Sequence, residues 1–245
     1  MFRPALCTTR TQIKEIAGID IDAITERTAI DLDEVGGEFW DAPVSLQDRD
    51  LEVAEDGKGC EVNPEYQQIL GYVTVTNSED KVFVYGRGKG GGEPGLHGKL
   101  SIGLGGHIET LPNSDNDLVQ LDDYPELLAH VILDAERELK EEAGLIDLEI
   151  DPVALLVDPV PDGKPVPVGS VHLGVWCLTQ IEGDVGELEE GVITRGEWWT
   201  LEQLEAAKDR FEPWSQMAIG ELRNLVNGGE LSDDEGSVED LDGIE

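Results

Sequence analysis

The chain has 245 residues, 39% of them hydrophobic, and 54 acidic side chains against 17 basic ones, for a net charge of −37. That length allows one large or two small domains with a true core, while the charge repels nucleic-acid backbones and anionic membranes and excludes polymer binding through a basic patch. A carboxylate-rich surface stays hydrated, and its self-repulsion is screened, in concentrated salt, so a halophilic source is expected. Cys7, Cys60 and Cys177 are odd in number and far apart, with no CxxC spacing, which argues against a disulfide framework or a cysteine zinc site. The opening MFRPALCTTRTQ lacks an apolar run of signal-peptide length and no window approaches a membrane span, so a soluble cytoplasmic protein is expected.

Residues 1–66 are polar, acidic and weakly patterned, and read as an N-terminal extension with a short helix at TQIKEIAGI. From Gly71 the pattern sharpens. GYVTVTN alternates as a strand, KVFVYGR is a second, and the short SED gap fits a hairpin. A glycine-rich loop, GRGKGGGEPGLHGK, then leads into a short apolar strand around Ile102 to Leu104. Residues 109–123 form an acidic loop, after which Pro125 can start a helix. Leu128, Ile132, Ala135, Leu139 and Ala143 recur at helical period, and Gly144 fits the stop. LEIDPVALLV and VGSVHLGVWCL are two further strands, GEWWTLEQL is a strand turning into a short helix, and Trp214, Met217, Ala218, Leu222 and Leu225 mark a last amphipathic helix. Residues 228–245 are acidic or small and read as a disordered tail.

The segment RELKEEAGL carries the chemistry. At roughly 100° per residue, Glu138 and Glu142 fall on one shoulder of the apolar stripe, with Glu141 further round the same side. Their oxygens can converge on one point, a suitable ligand set for a hard cation such as Mg²⁺ or Mn²⁺ that bridges to phosphate. The plain alternative is a solvated acidic face. Between Lys81 and Ile108, however, the acidic excess reverses: Lys81, Arg87, Lys89 and Lys99, with His97 and His107, face only Glu93. A cationic, glycine-rich stretch in so anionic a chain suits a small anionic substrate, with backbone N–H groups free to approach phosphate oxygens. GKGGG is not followed by Ser or Thr, so it is no phosphate loop of the nucleotide-triphosphatase kind.

GGHIE followed by RELKEEAGL resembles the Nudix box, whose second half reads Arg-Glu-apolar-x-Glu-Glu-x-Gly-apolar. Arg137, Glu138, Leu139, Glu141, Glu142, Gly144 and Leu145 match every fixed place in that half. KLSIGLGGHIE, VGSVHLGV and EPWS are similar to a bacterial and archaeal branch described as phosphoesterases. The resemblance implies an α+β architecture, an α/β/α sandwich with a mixed sheet between helices and the box as loop–helix–loop, here a Nudix domain at 67–227. It also implies a metal-dependent hydrolase, using Mg²⁺ or Mn²⁺, that cuts a diphosphate linkage in a small nucleotide-like substrate. Glu138, Glu141 and Glu142 would hold the metal with the carbonyl of Gly105 or Gly106, and Arg137 would orient a box glutamate. Arg87, Lys89, Lys99 and His107 would bind substrate. His172 is a further substrate contact to weigh, and Glu189 or Glu190 would supply a downstream glutamate. A homodimer is left open.

One departure stands out. The family's glycine lies fourteen positions before the arginine with a glutamate between, whereas Gly106 precedes Arg137 by 31 (137 − 106) and Ala129 holds the glutamate's place. The acidic loop 109–123 is an insertion inside the motif, and Glu126 is a substitute for the missing carboxylate, unless the loop reshapes the substrate entrance instead. Two rivals share the scaffold: a catalytically silent nucleotide-sensing module, against which the intact box helix argues, and an isoprenoid diphosphate isomerase, whose chemistry leans on a catalytic cysteine for which neither Cys60 nor Cys177 has a matching context.

Overall fold

The computed structural model describes residues 3–49, 59–88, 94–112, 124–159, 168–186, 188 and 193–227. In chain order the elements are β1 (Pro4–Thr9), α1 (Arg10–Ala17), β2 (Thr28–Asp31), α2 (Leu32–Val35), β3 (Ser45–Asp48), β4 (Tyr66–Asn77), β5 (Val82–Arg87), β6 (Leu100–Ser101), β7 (Gly103–Leu104), α3 (Glu126–Ala143), β8 (Asp151–Val157), β9 (His172–Ile181), β10 (Ile193–Trp199), α4 (Leu201–Ala206) and α5 (Pro213–Val226). The strands form one mixed sheet in the order β10-β5-β4-β9-β8-β2. Its spine is the parallel pair β4 and β9, in register from Gln68↔His172 to Asn77↔Ile181. The other edge of β4 is shared by β1 at Gln68, β7 at Val73 and Thr74, and β5 at Thr76.

Side-chain alternation on β4 sorts the core into two layers. Val73 and Val75 face α3 with Leu173 and Val175, while Tyr72 faces α5 with Trp176 and Leu156. The stripe Leu128, Ile132, Ala135, Leu139 and Ala143 is buried throughout, as its period requires. Gly71 sets how closely α3 approaches, since a Cβ there would lie 2.9 Å from Cβ of Ala135. The helix ends at Gly144, left-handed at φ 65°, whose N–H donates to the carbonyls of Leu139 and Lys140.

Residues 3–49, read from the sequence as part of an extension, place three strands in this same sheet: β1 on β4, β3 on β1, and β2 on β8. The short strand expected around Ile102 is two strands. Ser101 pairs with Tyr85 on β5 and Gly103 with Thr74 on β4, so the bend between them carries the chain from one neighbour to the other. Gly103 is required there, because a Cβ would fall 2.1 Å from Cζ of Tyr72. Residues 113–123 of the acidic insertion, Lys89, Glu189, Glu190 and the tail 228–245 lie outside the described residues.

Candidate active site

Helix α3 presents its acidic shoulder to the loop that follows β7. The carboxylate of Glu138 lies against the Gly106 backbone, so closely that a Cβ on Gly106 would sit 2.3 Å from Oε1. Although 31 positions separate Gly106 from Arg137 (137 − 106), the two halves of the motif meet in space. His130, on the opposite end of α3, helps close that span: its Nε2 lies 3.1 Å from the carbonyl of Thr110 and holds the root of the insertion to the helix.

The three glutamates are not equivalent. Glu138 and Glu142 are half-buried, and Glu141 is exposed. Arg137 gathers the carboxylates around it, donating from Nη2 to Glu138 at 2.6 Å, from Nη1 to Glu141 at 2.9 Å, and from Nη2 and Nε to Asp134 at 2.8 and 3.1 Å. Burial raises the pKa of Glu138 above the ordinary value against the pull of Arg137, and it does the same to Asp134. Asp134 Oδ2 is buried without a hydrogen-bond partner among the described residues. A charge that the fold desolvates and only partly neutralises is the electrostatic setting in which a cation is favoured. Carboxylate oxygens are hard donors that suit Mg²⁺ or Mn²⁺, although Glu138, Glu141 and Glu142 do not form a group of ligand atoms within 4.8 Å of one another among the described residues.

Glu142 also acts electrostatically on a cation, Arg87 at the end of β5. Burial works against the Arg87 charge, but the combined field of Tyr85, Glu212, Tyr72 and Glu142 outweighs it and holds the guanidinium pKa above its ordinary value. The Arg87 N–H donates to the Lys99 carbonyl at 2.9 Å, which sets these two candidate substrate ligands at the mouth of the glycine-rich loop. Lys99 is exposed and Arg87 half-buried. His107 stands apart from that pair of cations, with its Nε2 3.1 Å from Nε2 of His172. Glu126 is exposed at the start of α3.

Opposite α3, the EPWS segment makes a second polar cluster. Glu212 caps α5, accepting from the N–H groups of Trp214 at 2.8 Å and Ser215 at 2.9 Å. Its Oε1 also accepts from Ser215 Oγ at 2.6 Å and from the Tyr72 hydroxyl. Burial and the adjacent Glu212 charge push the Tyr72 pKa well above the phenol range, so Tyr72 stays a donor.

Cys177 is unsuited to acid–base work. Cys177 is fully buried and its pKa is pushed up to about 12 by burial, and Cys60 is buried against Cys7. All three are free thiols.

No model of a protein family matches the chain. YmaB of Bacillus subtilis (strain 168) is 32% identical over 163 residues, spanning 65% of this chain and 73% of YmaB. The chain belongs to the YmaB family. Among solved structures, that of Tm1382, a candidate Nudix hydrolase, matches with a TM-score of 0.62 at 21% identity, over 91% of this chain and 100% of Tm1382. This member of the YmaB family therefore has the Nudix fold, a mixed sheet packed between helices. The Nudix domain of Shewanella oneidensis NrtR, solved with ADP ribose, matches over 65% of this chain and 88% of its own at 13% identity and a TM-score of 0.45.

Sequence reasoning missed two groups in this YmaB relative. Asp134 shares Arg137 with the box glutamates, and its position three residues earlier on the helix is the signal that could have found it. Glu61 lies beside His107 and His172, and no spacing in the sequence links the three. No helix among the described residues is long and apolar enough to cross a membrane.

Proposed function

We propose that this protein is a Mg²⁺- or Mn²⁺-dependent hydrolase that cleaves a diphosphate linkage in a small nucleotide-like substrate. The observation that carries the reading is the contact of the Glu138 carboxylate with Gly106, which sets the acidic helix against the glycine loop despite the insertion between them. The Nudix fold supports it, as do the half-buried Glu142 and the cationic Arg87 within its electrostatic reach.

In this reading Glu138 and Glu142 would hold the metal from α3 with the carbonyl of Gly106, and Glu141 would complete the acidic rim. A bound divalent cation supplies positive charge for the diphosphate oxygens and lowers the pKa of water. Arg137 is a positioning residue: its hydrogen bonds to Asp134, Glu138 and Glu141 fix the rotamers of the shoulder. A carboxylate of this shoulder would accept the proton of the attacking water. Arg87 and Lys99 bind the leaving phosphates at the loop mouth. The charge of −37 is the surface of a cytoplasmic protein from a salt-rich cell.

The test is a panel of nucleoside diphosphate-linked compounds and dinucleoside polyphosphates, assayed with Mg²⁺, with Mn²⁺ and with neither, in high salt. Metal-dependent release of a nucleoside monophosphate or phosphate from at least one class is expected. Tight binding of panel members with no turnover under any metal would assign the fold to nucleotide sensing instead.

A further inference from the structure

Away from the box glutamates the structure gathers a second set of metal-ligating side chains. One ring nitrogen each of His107 and His172 and a carboxylate oxygen of Glu61 all lie within 4.8 Å of one another. The three come from distant parts of the chain. Glu61 sits in the turn before β4, His107 follows the Gly105–Gly106 pair, and His172 opens β9. The turn is anchored by the Cys60 N–H donating to the Asp48 carbonyl at 2.9 Å, and the His107 loop by the Leu6 N–H donating to the Ile108 carbonyl at 2.8 Å.

We propose that Glu61, His107 and His172 form a transition-metal site, with Zn²⁺ the ion that fits best, distinct from the carboxylate site on α3. Two imidazoles and one carboxylate are a borderline-soft donor set, unlike the all-oxygen shoulder, and three protein ligands leave a fourth position open. The spacing agrees. Two nitrogens each about 2.0–2.1 Å from a tetrahedral ion stand roughly 3.3 Å apart, and these two stand 3.1 Å apart. Metal ligands are oriented by partners of their own, and Arg49 holds Glu61 with an Nε to Oε1 bond of 2.5 Å. Arg49 and Arg3 lie within electrostatic reach of His107 and oppose a metal charge, and Glu61 supplies the one negative charge among the three ligands.

A separate observation marks the same face of the sheet as wanting a ligand. Gln68 is fully buried, and neither its Nε2 nor its Oε1 has a hydrogen-bond partner among the described residues. It is the parallel register partner of His172, so both side chains leave the sheet on one side. An oxygen ligand in the open position would give that amide a partner. His107 also immediately follows Gly106, on which Glu138 rests, so the two metal sites would flank one loop.

Titration of chelator-treated protein with Co²⁺, followed by its visible d–d absorption, separates the two sites, because four-coordinate nitrogen-containing sites absorb strongly and six-coordinate oxygen sites weakly. Wild type is expected to saturate the strong bands at one equivalent, and the Glu138→Gln/Glu142→Gln double variant to do the same. His107→Asn, His172→Asn and Glu61→Gln should each lower Co²⁺ affinity at this site by about 100-fold or more, beyond the tenfold to hundredfold typical of an outer-shell partner. Absence of strong bands in wild type, or their loss in the double variant and retention in the histidine variants, would overturn the proposal. If the histidine variants fail to fold by circular dichroism, the half-buried Glu61 carries the test alone, and unchanged affinity in Glu61→Gln overturns it. The double variant also keeps the outcome independent of whether the α3 glutamates act on a diphosphate.

Discussion

Gly106→Ala separates catalysis from folding in a way that no box glutamate substitution can. The new Cβ would lie 2.3 Å from Oε1 and 2.5 Å from Cδ of Glu138. Ordinary contact needs about 3.5 Å, so the carboxylate has to retreat by roughly 1 Å. The obstructing atoms are the far end of a flexible side chain, so the fold absorbs the change at a cost on the order of 1 kcal/mol. The site does not absorb it, because a displacement of about 1 Å at a reacting centre costs on the order of 100-fold in rate. Gly105→Ala is the control: its Cβ would meet the Gly71 carbonyl oxygen at 2.0 Å, a backbone atom of the central strand that cannot swing away. Thermal melts and Mn²⁺ calorimetry on both variants check the contrast. Gly106→Ala should melt within a few degrees of wild type with Mn²⁺ affinity and turnover sharply reduced, and Gly105→Ala should melt well below both. Wild-type Mn²⁺ affinity and turnover in a folded Gly106→Ala would refute the reasoning.

Other consequences follow from the same geometry. Burial raises the folded-state pKa of Glu138, so protonation of this group favours folding below the ordinary carboxylate pKa, and that contribution is lost as pH rises through the raised value. Metal-free Glu138→Gln should therefore gain stability over wild type at neutral pH, with the gain vanishing below about pH 4, as read by urea titration at several pH values. Tyr72→Phe leaves the buried Glu212 carboxylate without one of its donors and should cost about 1.5–3 kcal/mol in denaturant unfolding with the fold retained. With a net charge of −37, the melting temperature should climb as salt rises from 0.01 M to 1 M, where the screening length shortens from about 30 Å to 3 Å. A flat salt profile would contradict that.

The sequence made α3 legible because its one buried face imposes a helical period from Leu128 to Ala143. The central hairpin showed through its β-branched and aromatic content, although β4 and β5 are buried on both faces. β1, β2 and β3 left no such trace. They are four to six residues long and paired through backbone hydrogen bonds at the sheet margins, with Thr28–Asp31 only partly buried, so side-chain period carries little signal. In the site, helical spacing made Glu138 and Glu142 visible as neighbours, but not that Glu141 turns outward to Arg137. The triad of Glu61, His107 and His172 was illegible for a different reason. It is assembled by the parallel β4–β9 pairing and the loop after β7, contacts that no local pattern encodes.

The most direct test of the account is turnover of the best panel substrate across a range of Mn²⁺ concentrations, in wild type and in Glu142→Gln. Glu142 is half-buried on α3, and Gln keeps its shape while removing the charge a cation needs. The account predicts saturable Mn²⁺ activation of wild type, with Glu142→Gln slower by at least about 100-fold and shifted to higher Mn²⁺, as loss of a metal ligand requires. Equal rates with equal Mn²⁺ dependence in the two proteins would contradict it.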